Sequence, residues 1–323
     1  MKLRLIAMLL VFLLLFTGCN AVSDPSKETQ PSGTESQSAE SDTDKIKISP
    51  QSDTSGEEKQ ESEDDGILKI ITIGNSFSDD TMQYVYQIAK DAGYEDIKLG
   101  NLYIGGCSLD KHAANAKGNK AAYEYRVNTT GRWSTIKDYR MSDALRSENW
   151  DIVSLQQASG SSGIESTYSQ LEYMIGYVKK LVPGAKIVWN MTWAYQQDST
   201  HSEFSKYNGS QSEMYASILS AVKETVLDNA DISIAVPVGT AIQNARTSYV
   251  GDALTRDGFH LTLYLGRYIA GLTFFGAVTG VSIENITYKP SGVDEDMQKV
   301  AIESAMNAIA EPWKITESQY ITK

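Results

Sequence analysis

Two cysteines and three histidines limit the chemistry open to this chain of 323 residues. The thiols are Cys19 and Cys107, and the imidazoles are His112, His201 and His260. So few thiols exclude a cysteine-rich zinc site and a disulfide framework. Ser76 follows an apolar run, in Gly74-Asn75-Ser76-Phe77-Ser78. A serine hydroxyl is a poor nucleophile until a base takes its proton. His260 is the best candidate for that base, because Asp257 precedes it in Thr255-Arg256-Asp257-Gly258-Phe259-His260. A carboxylate three residues back along a loop can reach the same imidazole, fix its tautomer and stabilise imidazolium. Gly258 supplies the backbone freedom for such a turn. Together the three side chains have the chemistry of acyl transfer, which requires no metal or organic cofactor. Taken singly, a serine after a strand is commonly a cap, and Asp-x-x-His is commonly incidental. The case rests on joint placement, with Ser76 early in the folded region and Asp257 and His260 just before its late helices.

Bringing these residues together requires a particular frame. Residues 67–73 form a β-rich apolar run, and 97–103, 151–155, 186–191 and 232–236 repeat the pattern. Between and after them, 79–92, 168–181, 213–227, 261–278 and 294–310 read as helices. Alternating strands and helices predict an α/β fold over residues 67–323, a three-layer α/β/α sandwich with a parallel five-stranded sheet. Open sheets of this kind bind ligands at the carboxyl ends of their strands. Ser76, Gly105-Gly106, Gln156-Gln157 and Trp193-Ala194-Tyr195 stand at such ends. Trp193, Tyr195 and Trp133 could stack on a sugar ring or pack in the core. His112 and His201 lie in polar stretches that read as solvated loops, and Asp79 and Asp80 as residues serving a helix N-terminus.

These blocks resemble the SGNH (GDSL-type) hydrolase superfamily, over essentially residues 67–285. Gly74-Asn75-Ser76-Phe77-Ser78 is similar to its first block, which implies Ser76 as nucleophile. Gly105-Gly106 is similar to the second, which implies that Gly106 N–H joins Ser76 N–H in an oxyanion hole. Asp257-Gly258-Phe259-His260 is similar to the last, with its paired Asp and His. The resemblance also implies a flavodoxin-like fold. The third block departs from the pattern. The usual Gly-x-Asn-Asp is replaced by Gln156-Gln157, resembling a branch that reads Leu-Gln-x-x-Ser. Glutamine carries the same amide donor on one more methylene, so Gln156, or alternatively Gln157, is the expected side-chain donor to the oxyanion.

Residues 1–18 read as an export signal, with a basic start and twelve apolar residues from Leu5 to Phe16. That run is too short to span a bilayer comfortably. Phe16-Thr17-Gly18-Cys19 resembles a bacterial lipobox, which implies cleavage before Cys19 and lipidation of its thiol; an ordinary cleaved signal is the alternative. Residues 19–66 are a polar, acidic tether without an aromatic residue, expected to be disordered. Cys107 then remains as a lone thiol, more in keeping with a small buried residue than a reactive one. The net charge of −12 argues against a nucleic-acid partner.

The expected function is that of an exported serine esterase, held at the membrane by Cys19 and removing O-acetyl groups from carbohydrate; the substrate class rests on the resemblance. A lipase or thioesterase is less consistent with the absence of a long apolar stretch for an acyl chain. A non-catalytic carbohydrate binder would have no need of Ser76, Asp257 and His260 together. A flavin or nucleotide site at Gly74-Asn75-Ser76 would leave Asp257 and His260 unexplained.

Overall fold

The computed structural model describes residues 66–323. The expected leader, the Cys19 lipidation site and the tether as far as residue 65 lie outside the described residues.

The first strand, β1 (Ile67–Gly74), is rich in isoleucine and buried at every position after Ile67. A strand buried on both faces has an uninterrupted apolar run rather than an alternating one. β1 pairs in parallel with β2 (Asp96–Tyr103) on one side and with β5 (Ile152–Leu155) on the other. β6 (Lys186–Asn190) and β7 (Ile232–Val236) continue the parallel sheet beyond β5.

The sheet has seven strands rather than five, in the order β4-β3-β2-β1-β5-β6-β7. The additional pair, β3 (Ala121–Asn128) and β4 (Trp133–Arg140), is an antiparallel hairpin on the outer edge of β2. β3 carries a weak strand signal, since Tyr123 and Tyr125 are buried and alternate with less buried neighbours. β4 carries almost none, because nearly all its residues are exposed. Charged residues such as Lys137, Asp138 and Arg140 suit this edge, where unpaired backbone would otherwise template further pairing.

The helices fall into two groups by their contacts. α1 (Ser76–Met82), α2 (Val85–Asp91), α7 (Val238–Arg246), α8 (Leu265–Thr279) and α9 (Glu295–Ala310) pack with one another. α3 (Leu109–Lys117), α4 (Met141–Arg146) and α5 (Leu171–Leu181) form a second group, while α6 (Gln211–Thr225) packs on short 3₁₀ turns. α8 is buried almost all round, and Tyr268, Phe274 and Phe275 are fully enclosed. The periodicity predicts one helix over 79–92, but the chain breaks at Tyr84 (φ −111°, ψ 1°). The Tyr84 hydroxyl donates to Leu263 O at 2.8 Å, a tertiary contact that local helix propensity does not encode. Among the described residues no helix is long and apolar enough to cross a membrane.

Winding reverses between β1 and β5, since β2 lies on one side of β1 and the later strands on the other. That switch point is where an open sheet places its ligand crevice, and Ser76 follows β1 directly.

Candidate active site

Asn75 caps α1, its Oδ1 accepting Phe77 N–H at 2.9 Å. Ser76 is therefore the first helical residue, set at the carboxyl end of β1. His260 Nε2 lies 2.8 Å from Ser76 Oγ, and His260 Nδ1 lies 2.7 Å from Asp257 Oδ2. The other Asp257 oxygen accepts the backbone N–H of His260 at 2.8 Å and of Phe259 at 3.3 Å. The turn that makes this possible passes through Gly258 at φ +89°, a conformation unfavourable for any side chain. Burial raises the Asp257 carboxyl, but the bonds from the His260 ring and the two backbone N–H groups outweigh it, so the net shift is downward. An ionised Asp257 accepts from Nδ1–H and leaves Nε2 free to accept the serine proton.

The second wall comes from the loop after β2. Gly106 stands at φ +61° and lines the cleft with Gly105 and Ser76. The N–H groups of Ser76 and Gly106 donate to no other protein group among the described residues. The glutamines do not fill the place expected of them. Gln157 Nε2 donates to Thr167 O at 2.8 Å and Thr167 Oγ1 at 3.1 Å, while its Oε1 accepts from Leu109 N and Ala158 N. Gln156 is buried, and its Nε2 donates to Asn75 Oδ1 at 3.0 Å. Neither residue lines the cleft. Each amide is engaged in bonds within the protein instead. Asn75 does line the cleft, and its Nδ2 donates to Cys107 O at 3.0 Å, tying the serine turn to the Gly106 loop.

Residues 69–308 match the family described as a domain of unknown function, DUF4886. The chain belongs to the DUF4886 family. A DUF4886 family protein from Bacteroides uniformis is 38% identical, with a TM-score of 0.76, over 79% of this chain and all of that one. A proposed SGNH hydrolase from Slackia heliotrinireducens is 19% identical over 66% of this chain and 99% of its own, with a TM-score of 0.46. A proposed GDSL-like lipase from Parabacteroides merdae is 16% identical over 66% of this chain and 98% of its own, with a TM-score of 0.42. No curated protein matches the sequence.

In this DUF4886 chain the Ser76 cleft encloses about 420 Å³. Its far wall is made by two 3₁₀ turns, Ser159–Ser161 and Ser202–Tyr207. Tyr195 borders the cleft but is itself fully buried, with its hydroxyl sharing a hydrogen bond with Ser159 Oγ at 2.8 Å, so it does not present the free ring face expected for stacking on a sugar. Trp193 offers no face to a substrate. It is completely buried, stacked on Phe77 at 4.1 Å, with its indole N–H donating to Phe259 O at 2.8 Å. Trp133 packs against the core at the start of β4, away from the cleft.

The other histidines also differ from the solvated loops expected of them. His201 lines the cleft beside Phe259, with ring centroids 4.5 Å apart, and its Nδ1 accepts Glu203 N–H at 3.2 Å. His112 is buried on α3 and lies 2.9 Å from Tyr123 Oη; burial, with some help from Lys111, depresses its pKa to about 3. Cys107 is buried too, and desolvation pushes its thiol up to about 12 against the pull of Lys111. Asp79 pairs with Arg126, while Asp80 turns inward to two arginines rather than serving a helix end. Arg256 and Arg267 carry no motif signal; only their convergence on Asp80 marks them.

Proposed function

We propose that this DUF4886 chain is a serine hydrolase that cleaves short-chain carboxylic esters, with O-acetylated carbohydrate as its substrate class. One observation carries the reading: the unbroken run of hydrogen bonds from Asp257 through His260 to Ser76 Oγ, at 2.7 and 2.8 Å. Ser76 Oγ attacks the ester carbonyl while His260 Nε2 takes its proton. The oxyanion forms against the N–H groups of Ser76 and Gly106. His260 then returns the proton to the leaving alcohol, and a water activated by the same imidazole hydrolyses the acyl-enzyme. Asp257 holds the ring in the required tautomer throughout.

The substrate class rests on the resemblance to the SGNH superfamily, and the polar part of the cleft lining is consistent with it. Ser108, Ser159, Ser161, His201 and Glu203 present hydroxyl, imidazole and carboxylate groups, which suit a polyol better than an acyl chain. The proposal includes a location outside the cytoplasm on a lipid anchor, supported by the export-signal pattern of residues 1–18 and the lipobox-like Cys19.

A catalytically silent carbohydrate binder is the second reading, favoured by the engagement of both glutamine amides within the protein. A missing oxyanion donor costs on the order of 3 kcal/mol of transition-state stabilisation. Hydrolysis of p-nitrophenyl acetate and of longer acyl esters, by the wild type and Ser76→Ala, separates the two. Turnover that falls with acyl length and disappears in Ser76→Ala supports the esterase. A glycan-binding protein with no Ser76-dependent turnover on acetylated glycans or simple esters would overturn it.

A further inference from the structure

Asp80 has no role in the steps above, yet its side chain is completely buried and surrounded by charge. Its Oδ1 accepts from Arg267 Nε at 2.7 Å, and Arg256 Nη1 approaches both oxygens at 3.2 and 3.3 Å. Its Oδ2 accepts the backbone N–H of Leu261 at 2.9 Å. Arg256 Nη1 also donates to Leu261 O, so both polar groups of that residue are engaged by the cluster. Arg267 comes from α8 and donates further to Gln83 Oε1 at 3.2 Å.

The placement of this cluster is informative. Asp80 lies four residues after Ser76 on α1, one helical turn along the same face. Leu261 is the residue after His260. The link from nucleophile to base therefore passes through one turn of helix, one carboxylate and one peptide unit. Burying charge is a poor route to stability, because desolvation offsets most of the Coulombic gain. What a buried carboxylate supplies is direction, since two oxygens with fixed partners hold one geometry where apolar packing tolerates several.

We propose that Asp80, braced by Arg256 and Arg267, is a positioning residue that sets the distance between Ser76 Oγ and His260 Nε2. This rests on the assignment of Ser76 as nucleophile and His260 as base. Asp80 touches no substrate and acts through the Leu261 peptide. A displacement of about 1 Å between reacting groups costs about 100-fold in rate, so the loss falls on kcat, with KM little changed.

The test uses the full chain with Asp80→Asn and Asp80→Glu. Reactive serine is titrated with a fluorophosphonate, so that kcat is expressed per titrated site. Asn244→Ala serves as the control for a general loss of stability. Asn244 is buried on α7, where its side chain donates to Ser304 O and accepts from Thr316 N, partners that lie outside the His260 loop. The expected result is a 10- to 100-fold fall in kcat per site for both Asp80 variants, KM within about twofold, and Asn244→Ala unchanged per site. Fewer titratable sites with unchanged kcat per site would reduce Asp80 to a structural role and overturn the proposal. Should the Asp80 variants fail to fold, Arg256→Lys must show a smaller fall confined to kcat, and an unchanged kcat there overturns it equally. A wild type whose Ser76 neither titrates nor turns over any ester removes the esterase reading and this proposal together. An active wild type beside Asp80 variants with unchanged kcat per site removes only the proposal.

Discussion

Ser76 Oγ and His260 Nε2 are 2.8 Å apart although 184 residues separate them in the chain. Ser76 is set by the end of a buried strand. His260 is set by a loop fastened at several points: Trp193 Nε1 donates to Phe259 O, Gln196 N to Gly258 O, and Leu261 N to Asp80. Ser76→Ala and His260→Ala are each expected to lower kcat on p-nitrophenyl acetate by about 10⁴-fold or more, with the fold intact by circular dichroism. The double variant should be little worse than either single one, because the two groups act as a unit.

Asp257 gives a prediction for pH. Its carboxyl is shifted below the ordinary range by its bonds to His260 and Phe259. A depressed native pKa adds stability that is present above the unfolded value of about 4 and is lost as pH falls through the native value. The stability advantage of wild type over Asp257→Asn should therefore be full at neutral pH and shrink as pH drops below about 4. Urea titrations at a series of pH values measure it, and an advantage that grows on acidification would contradict the assignment. At neutral pH, Asp257→Asn should also lower kcat by about 10⁴-fold, since the wrong tautomer faces Ser76.

The two glutamines should separate into different phenotypes. Gln157→Ala removes the partners of Leu109 N, Ala158 N and Thr167 and should cost about 2 kcal/mol or more in a denaturant midpoint. Gln156→Ala loosens Asn75, which ties the serine turn to the Gly106 loop, and should lower kcat by more than it lowers stability. Equal effects of the two on kcat per folded molecule would contradict this division.

Trp193→Ala should destabilise the protein by about 3–5 kcal/mol, as expected for removing a large buried ring. A substrate-stacking residue would instead raise KM at unchanged melting temperature.

At the cleft wall, His201→Ala and Glu203→Gln should raise KM for an acetylated oligosaccharide several-fold and leave p-nitrophenyl acetate hydrolysis nearly unchanged. The small ester has no polyol to contact either residue. Parallel losses on both substrates would show that these residues support the Ser76 geometry rather than recognise sugar.

Much of the frame is legible in the residues themselves. The five parallel strands stand out as short apolar runs, and the turns that follow β1 and β2 supply Ser76, Gly105 and Gly106 to the cleft. Ser76, Asp257 and His260 are legible because a strand end and a three-residue spacing are local features. The β3–β4 hairpin is not, because an exposed edge strand such as β4 buries too little to impose a pattern.

The side-chain assignments needed the tertiary structure for a different reason. Gln156 and Trp193 have residue types that suit the cleft, but their orientation depends on partners from elsewhere in the chain: Asn75 and Thr167 for the glutamines, Phe77 and Phe259 for the tryptophan. His201 and Asp80 show the reverse, with residues read as a solvated loop and a helix end brought to the cleft wall and to a buried ion cluster. Local spacing determined which residues could do the chemistry. Long-range packing decided which of them face the cleft, because a side chain's direction is settled by the lowest-energy set of partners in the folded core.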